Sequence, residues 1–251
     1  MAKNVNIKDQ IGGLKMSVNL ANKLREGTKE VHTIVEDIGF LKCFLKGVVE
    51  RNSYRKLLAN FYFIYSTMEE EIERHRQHSI LSNLYFPELH RKEALKQDLL
   101  FYYGSNWRQQ IILSPVGKTY IQRIQTLSNT EPELLVGYFY TRYLGDLSGG
   151  QILKKIAQRS MNLVDGEGLA FYEFPAISNI SSFKANYRNS LNKLPIDDAM
   201  ADHIVKAANE AFDMNIKIYQ ELQGSLVKAI GQILFNSLTW ENVTARQKLV
   251  D

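Results

Sequence analysis

The stretch from Tyr138 to Gln158, YFYTRYLGDLSGGQILKKIAQ, decides how the rest of the chain is read. It is an apolar, helix-patterned run with Gly145, Gly149 and Gly150 at its centre. No strand pattern precedes it, so these are not the turn glycines of a phosphate-binding loop. Inside a helix each glycine costs about 0.8–1 kcal/mol relative to alanine, so the trio forgoes roughly 2.5–3 kcal/mol of propensity. Gly145 and Gly149 stand one turn apart on a single face and leave a strip of bare backbone. A flat ligand or a partner backbone can approach such a strip closely, and Arg142 and Asp146 flank it with polar chemistry. A tight helix crossing, or a kink at paired glycines, would account for the strip equally well.

Outward from that stretch, composition sets the bounds. A chain of 251 residues can bury roughly 70–75% of its unfolded surface as one domain. Five prolines, 15 glycines and 45% apolar residues give too little turn punctuation for an all-β chain and favour a single all-α domain. The net charge is +4 and the pI about 8.9, with cations dispersed among nearly as many carboxylates. That balance suits an acidic protein partner better than nucleic acid. Cys43 is the one cysteine, so no intrachain disulfide is possible, and the first residues lack a secretory pattern. The expected setting is the reducing cytosol. Residues 1–15, polar and holding Gly12-Gly13, read as a mobile leader or a cloning scar, 16–240 as the domain and 241–251 as a tail.

From Val18 the apolar positions Leu20, Leu24, Val31, Ile34, Val35 and Ile38 follow helical spacing and predict one helix carrying His32. Arg25 lies on nearly the same side, about 10 Å along the axis from His32 at 1.5 Å per residue, and Glu36 follows one turn after. A planar anionic cofactor could be held at its centre by His32 and at its edge by Arg25; a half-buried histidine with satisfied hydrogen bonds is the plainer alternative. Next come a short helix over 40–49 and a long one capped by Ser53 and running past Tyr65 to Ile72. Glu69-Glu70-Glu71 reads as a solvated face, and Pro87 opens the helix of Leu89 to Leu100, with His90 exposed among charges. Gly104 ends that helix, and Ser114-Pro115 caps the one running to about Leu127. Thr130 to Glu133 has the capping-box pattern and starts the glycine helix, which is expected to run about thirty residues with a bend. Residues 165–168 form a loop. A helix from about Ser181 projects Lys184, Tyr187 and Arg188 from one side, either a basic fork for a carboxylate or phosphate or a solvated face. Asp197-Asp198 opens a last helix reaching about Leu238, whose terminal stretch is too short and polar to span a bilayer.

Several familiar motifs fail on mechanism. Residues 147–151 spell LSGGQ, as in ABC-type ATPases, and Gly117-Lys118-Thr119 imitates the end of a P-loop, but Ile112 stands where its first glycine belongs and no strand precedes it. His75 and His78 lack the further ligands a zinc site needs. A di-iron carboxylate bundle wants paired Glu-x-x-His motifs, which neither Glu30-Val31-His32 nor Glu88-Leu89-His90 provides.

A helical histidine, a glycine-stripped helix with Asp146 and a basic fork remain, and together they resemble heme oxygenase. KEVHTIVED at 29–37 is similar to that family's proximal segment, YTRYLGDLSGGQILKKIAQ at 140–158 to its distal helix, and FKANYR at 183–188 to its propionate-binding segment. EEEIER, YFPELHRK, TEPELL and GEGLAF match in the family's order, and the likeness runs from about Leu20 to Leu222. The resemblance implies a single-domain helical bundle with heme b between a proximal and a glycine-kinked distal helix. It implies cleavage of heme at a meso carbon by molecular oxygen and an external reductant, giving biliverdin, carbon monoxide and ferrous iron. Heme would be both substrate and cofactor.

By the same resemblance His32 matches the axial iron ligand and Glu36 the acidic neighbour that fixes its ring. A neutral histidine lacks the electron push of a thiolate, which suits attack on the macrocycle. Gly145 and Gly149 match the backbone against the distal heme face. Asp146 matches the residue that delivers protons through ordered water, with Tyr65 and Arg142 in its network. Arg25, Tyr140, Lys184 and Arg188 match propionate contacts; many relatives carry lysine where Arg25 stands. The chain resembles the type without a membrane anchor found in cyanobacteria and plastids, where ferredoxin supplies electrons and biliverdin feeds bilin pigments. Two other readings use the same residues: a heme carrier or sensor without turnover, and a helical protein whose glycine strip is only a crossing.

Overall fold

The computed structural model describes residues 18–164, 166–232 and 234–239. The leader expected at 1–15, the tail at 241–251 and Asp165 of the expected loop lie outside the described residues. All regular structure among the described residues is helical, with no strand, and none of their helices is long and apolar enough to cross a membrane.

Two helices, α4 (Arg51–Arg74) and α11 (Asp198–Ile230), form the frame. α4 buries Leu57, Leu58, Phe61, Ile64, Tyr65, Met68 and Ile72, the helical stripe read from sequence. At about 1.5–3 kcal/mol for each large apolar side chain fully buried, such stripes supply most of the cohesion. α11 packs against α4 and against α1 (Leu20–Gly27), α2 (Lys29–Asp37) and α3 (Gly39–Leu45). Its buried Ala201, Ala207, Ala208 and Ala211 allow close neighbours. α5 (Lys92–Tyr103), the one-turn α6 (Trp107–Gln110) and α7 (Pro115–Thr130) close one side of α4. The stretch α8 (Leu135–Phe139), α9 (Gly149–Ser160) and α10 (Ile180–Asn192) closes the other end.

Local signals placed some boundaries correctly. Ser114 Oγ accepts from Gly117 N at 3.0 Å with Pro115 at the first helical position, Asp197 accepts from Met200 N, and Gly104 ends α5 at φ 77°. Elsewhere the boundaries and burial differ from expectation. The helix expected from Val18 to Ile38 is broken at Thr28, whose hydroxyl donates to Leu24 O at 2.8 Å. Glu50, not Ser53, caps α4, accepting from Asn52 N and Ser53 N. Pro87 opens only a 3-10 turn, and α5 begins at Lys92. The Thr130 to Glu133 pattern makes no capping box: Thr130 closes α7, its hydroxyl donating to Thr126 O, and a 3-10 turn at Pro132 follows. α11 stops at Ile230 because Gly231 turns to φ 85°. Glu69 and Glu71 are buried rather than solvated: Glu69 accepts the N–H groups of Arg91 and Lys92, and Glu71 accepts from Ser128 Oγ. His90 is half-buried, and that burial lowers its pKa.

Candidate functional site

The run around Gly145 is not one bent α-helix. α8 passes into a π-helical turn, Tyr140–Leu144, then through a break at Leu147-Ser148 into α9. Such π turns insert an extra residue and re-aim side chains, often at functional sites. Here the turn buries both Arg142 and Asp146. At Gly137, ahead of the turn, an added Cβ would lie 2.6 Å from Ala208 N and from Ile204 O, so this glycine makes the close crossing with α11. At Gly145 and Gly149 an added Cβ would meet nothing within 4 Å. The strip therefore faces open space, which overturns the reading of it as a helix crossing.

That space is a cavity between α1–α2 and the 140–153 stretch. A lobe of about 440 Å³ and a lobe of about 180 Å³ share His32, Thr141, Gly145, Gly149 and Phe212. The larger lobe carries Arg25, Lys29 and Arg188 with Tyr140. The smaller is mostly apolar, with Phe40, Phe44 and Phe61, and reaches Asp146 and Arg142.

His32 stands on α2 with its side chain 60% exposed, Nδ1 3.5 Å from Glu36 Oε1. Its ring meets Phe212 of α11 edge-on at 5.9 Å. Facing it, Tyr65 OH donates to Asp146 Oδ2, and Arg142 donates from Nε to Tyr65 OH at 2.9 Å. Arg142 also donates to Asn215 Oδ1 at 3.1 Å and to Asp146 Oδ1 at 3.4 Å. The guanidinium lies 4.3 Å from the Phe61 ring centroid. Burial pushes the Asp146 carboxyl above its ordinary value, against the pull of Arg142 and of the Tyr65 hydrogen bond. Burial also raises the Tyr65 phenol. For Arg142 burial opposes the charge, but Tyr65 and Asp146 outweigh it and hold the proton on. Burial leads in raising Tyr140 as well, against Thr28, Arg188 and Arg25.

The structure brings His32, Glu36, Arg25, Tyr140, Tyr65, Arg142, Gly145, Asp146, Gly149 and Arg188 to this one cavity or its network. Lys184 sits at the lip, its Nζ donating to Ser148 Oγ at 3.1 Å. Tyr187 does not share a side with Lys184 and Arg188: it is fully buried, 5.5 Å from Phe86, because α10 needs an anchor in the core. Lys29, Phe212 and Asn215 were missed by sequence reasoning. Lys29 follows Arg25 by one turn and could have been found by that spacing, whereas nothing local marks Phe212 or Asn215 within α11.

These features define a class: an all-α protein with a cation-rimmed cavity between an exposed imidazole and bare helix backbone, shaped for a flat ligand. The heme oxygenase family model matches residues 18–221. Heme oxygenase 1 of Nostoc sp. is 63% identical over 224 residues, covering 89% of this chain and 94% of that protein. The crystal structure of heme oxygenase-1 from Synechocystis sp. in complex with heme superposes with TM-score 0.84 at 61% identity, over 88% of this chain and all of that one. Heme oxygenase-2 from Synechocystis sp., in complex with heme and NO, gives TM-score 0.88 at 46% identity, over 90% and 93%. The chain belongs to the heme oxygenase family, the enzymes that open heme to biliverdin.

Proposed function

We propose that the cavity binds heme b as substrate, with His32 as the ligand of its iron. The observation that carries this is the open space over Gly145 and Gly149 in a cavity shared with an exposed imidazole. Only a flat body reaching close to the backbone uses both. When bound, heme supplies the iron that activates oxygen and the macrocycle that is opened. Glu36, 3.5 Å from His32 Nδ1, is placed to orient the ring and leave Nε2 free to bind. Arg25, Lys29 and Arg188, with Tyr140 and with Lys184 at the lip, take the two propionates and set the rotation of the ring. The apolar lobe excludes water, and Asp146 holds and passes on a proton at its carboxyl. Tyr65, Arg142 and Asn215 keep that carboxyl in place. A heme carrier would have no use for this buried acid, which favours turnover over storage.

An absorption spectrum after adding hemin, then reductant under air, tests the reading. A Soret band that bleaches into a bilin band supports it; a stable Soret band would leave only a carrier.

The electron donor in this proposal is an acidic protein of ferredoxin type, as net charge +4 and pI near 8.9 suggest. The bilin product would feed pigment synthesis in a cytoplasm or plastid stroma. The Debye length falls from about 10 Å at 0.1 M salt to about 3 Å at 1 M, and steered encounters slow with it. Ferredoxin-supported turnover should therefore drop with salt while ascorbate-supported turnover holds; equal sensitivity would refute a steered acidic donor.

A further inference from the structure

A third concavity, about 380 Å³, shares no lining residue with the heme-sized cavity. It lies between α4, the connection after α5 and the C-terminal part of α11. Arg55 and Lys56, consecutive on α4, enter it from one wall. The Arg55 guanidinium lies over the Tyr103 ring, 4.6 Å from its centroid, which fixes its plane. Its Nε is buried without a hydrogen-bond partner, so the guanidinium keeps donor capacity that no protein acceptor takes up. Lys56 reaches only a neutral group, donating to Ser225 Oγ at 3.2 Å.

Two carboxylates lie nearby and both are engaged. Glu221 lines the groove and accepts from Val116 N at 3.3 Å, at the start of α7. Glu50, which feels the charge of Lys56, is taken up by Asn52 N–H and Ser53 N–H. Among the described residues no ion pair joins either carboxylate to Arg55 or Lys56. Asn60, Gln110 and Ser114 add neutral polar groups, and the apolar part of the lining is the Tyr103 ring, Leu222, Ala59 and Ile112 on the rim at 82% exposure. An isoleucine so exposed, beside two cations that no carboxylate contacts directly, is the complement of a molecule with an acidic end and an apolar body.

We propose that this groove is a second binding site, for a small organic carboxylate carried on a ring-sized apolar body. Arg55 and Lys56 take the carboxylate, and Tyr103, Leu222 and Ile112 take the body. The planar guanidinium suits a carboxylate through paired N–H donors, and its stacking on Tyr103 removes part of the ordering cost of binding. Nothing in this assignment depends on the heme reading, since the two cavities are lined by different residues.

The test is a titration of the full chain, isotopically labelled, followed by the Arg55 Nε–H signal and the backbone amides of Tyr103 and Ser225. The probes are benzoate, benzyl alcohol and inorganic sulfate. Benzoate should shift these signals saturably, and sulfate and benzyl alcohol at least about tenfold more weakly, since each lacks one half of the required chemistry. Arg55→Gln should weaken benzoate binding roughly tenfold or more, as loss of a charge-assisted pair does. Lys56→Gln, an exposed position, gives a second variant should the first fold poorly, and Ile112→Ser should weaken benzoate without changing the sulfate response. No saturable benzoate shift, an equal response to sulfate, or binding unchanged in both charge variants would overturn the proposal.

Discussion

On the α2 side of the cavity His32 stands with its side chain 60% exposed, and Glu36 3.5 Å away is 57% exposed. On the other side Asp146, Arg142, Tyr65 and Asn215 are all buried and bonded to one another. The difference fits the tasks proposed for the two walls. A ligating imidazole must be reached by its ligand and needs few partners of its own. A proton-handling carboxyl must keep one geometry in a low-dielectric setting, and only a closed hydrogen-bond network provides that. The accessible wall should therefore tolerate substitution in its fold and fail in binding, whereas the buried wall should lose both stability and chemistry.

The largest effect is expected at Asp146. Asp146→Ala should still bind hemin but lose about 10²–10⁴ in biliverdin formation, the usual worth of a positioned acid. It should also destabilise the fold by about 3–5 kcal/mol, because Arg142 is left buried without its carboxylate. Chromatography of the product and a urea melt measure the two. Normal biliverdin yield would remove Asp146 from the chemistry.

Asp98 sharpens the contrast through pH. Its carboxylate accepts from Ala170 N at 2.7 Å and Phe171 N at 2.8 Å, holding the turn that sends Phe171 and Tyr172 into the cavity. Burial raises it from 3.8 to about 6. With the folded value above the unfolded one, the folded state binds more protons between them, so stability is fully present below about pH 4 and is lost as pH rises through about 6. At about 1.4 kcal/mol per unit the swing is roughly 3 kcal/mol. Asp98→Asn should flatten the stability profile between pH 4 and 7; an unchanged slope would assign it to other groups.

His32→Ala should cost about 100-fold or more in turnover, on the scale of damage to a metal's coordination shell. Imidazole in solution should restore part of it. Because the side chain is exposed, the melting curve should move by less than about 0.5 kcal/mol. A heme spectrum identical to that of the unaltered chain would mean that another group ligates the iron.

The smallest effects separate two glycines of the same segment. Gly137→Ala should cost about 1–3 kcal/mol in a urea titration, since its Cβ is pressed against the α11 backbone, and leave hemin affinity unchanged. Gly149→Ala should gain up to about 1 kcal/mol of helix propensity yet weaken hemin binding, because its Cβ would occupy the ligand's space. Equal hemin affinity in the two variants would erase the distinction between a packing glycine and a ligand-facing one.

What the sequence determined by itself was local or periodic. Helical class, the apolar stripe of α4, the caps at Ser114 and Asp197 and the end at Gly104 were legible because each depends on residues within a turn or two of one another. His32, Asp146 and the basic residues stood out as candidates because their chemical types and order match a known family. Only the tertiary structure decided the rest. It showed which glycine makes a crossing, since the need at Gly137 arises from the backbone of Ala208, 71 positions away along the chain. It buried Glu69 against the N–H groups of Arg91 and Lys92, brought Asn215 to Arg142 and Phe212 to His32, and turned Tyr187 into the core. Helical periodicity tells which face of a helix is buried, but the partner that face meets is set by how separate helices pack, and no local pattern records it.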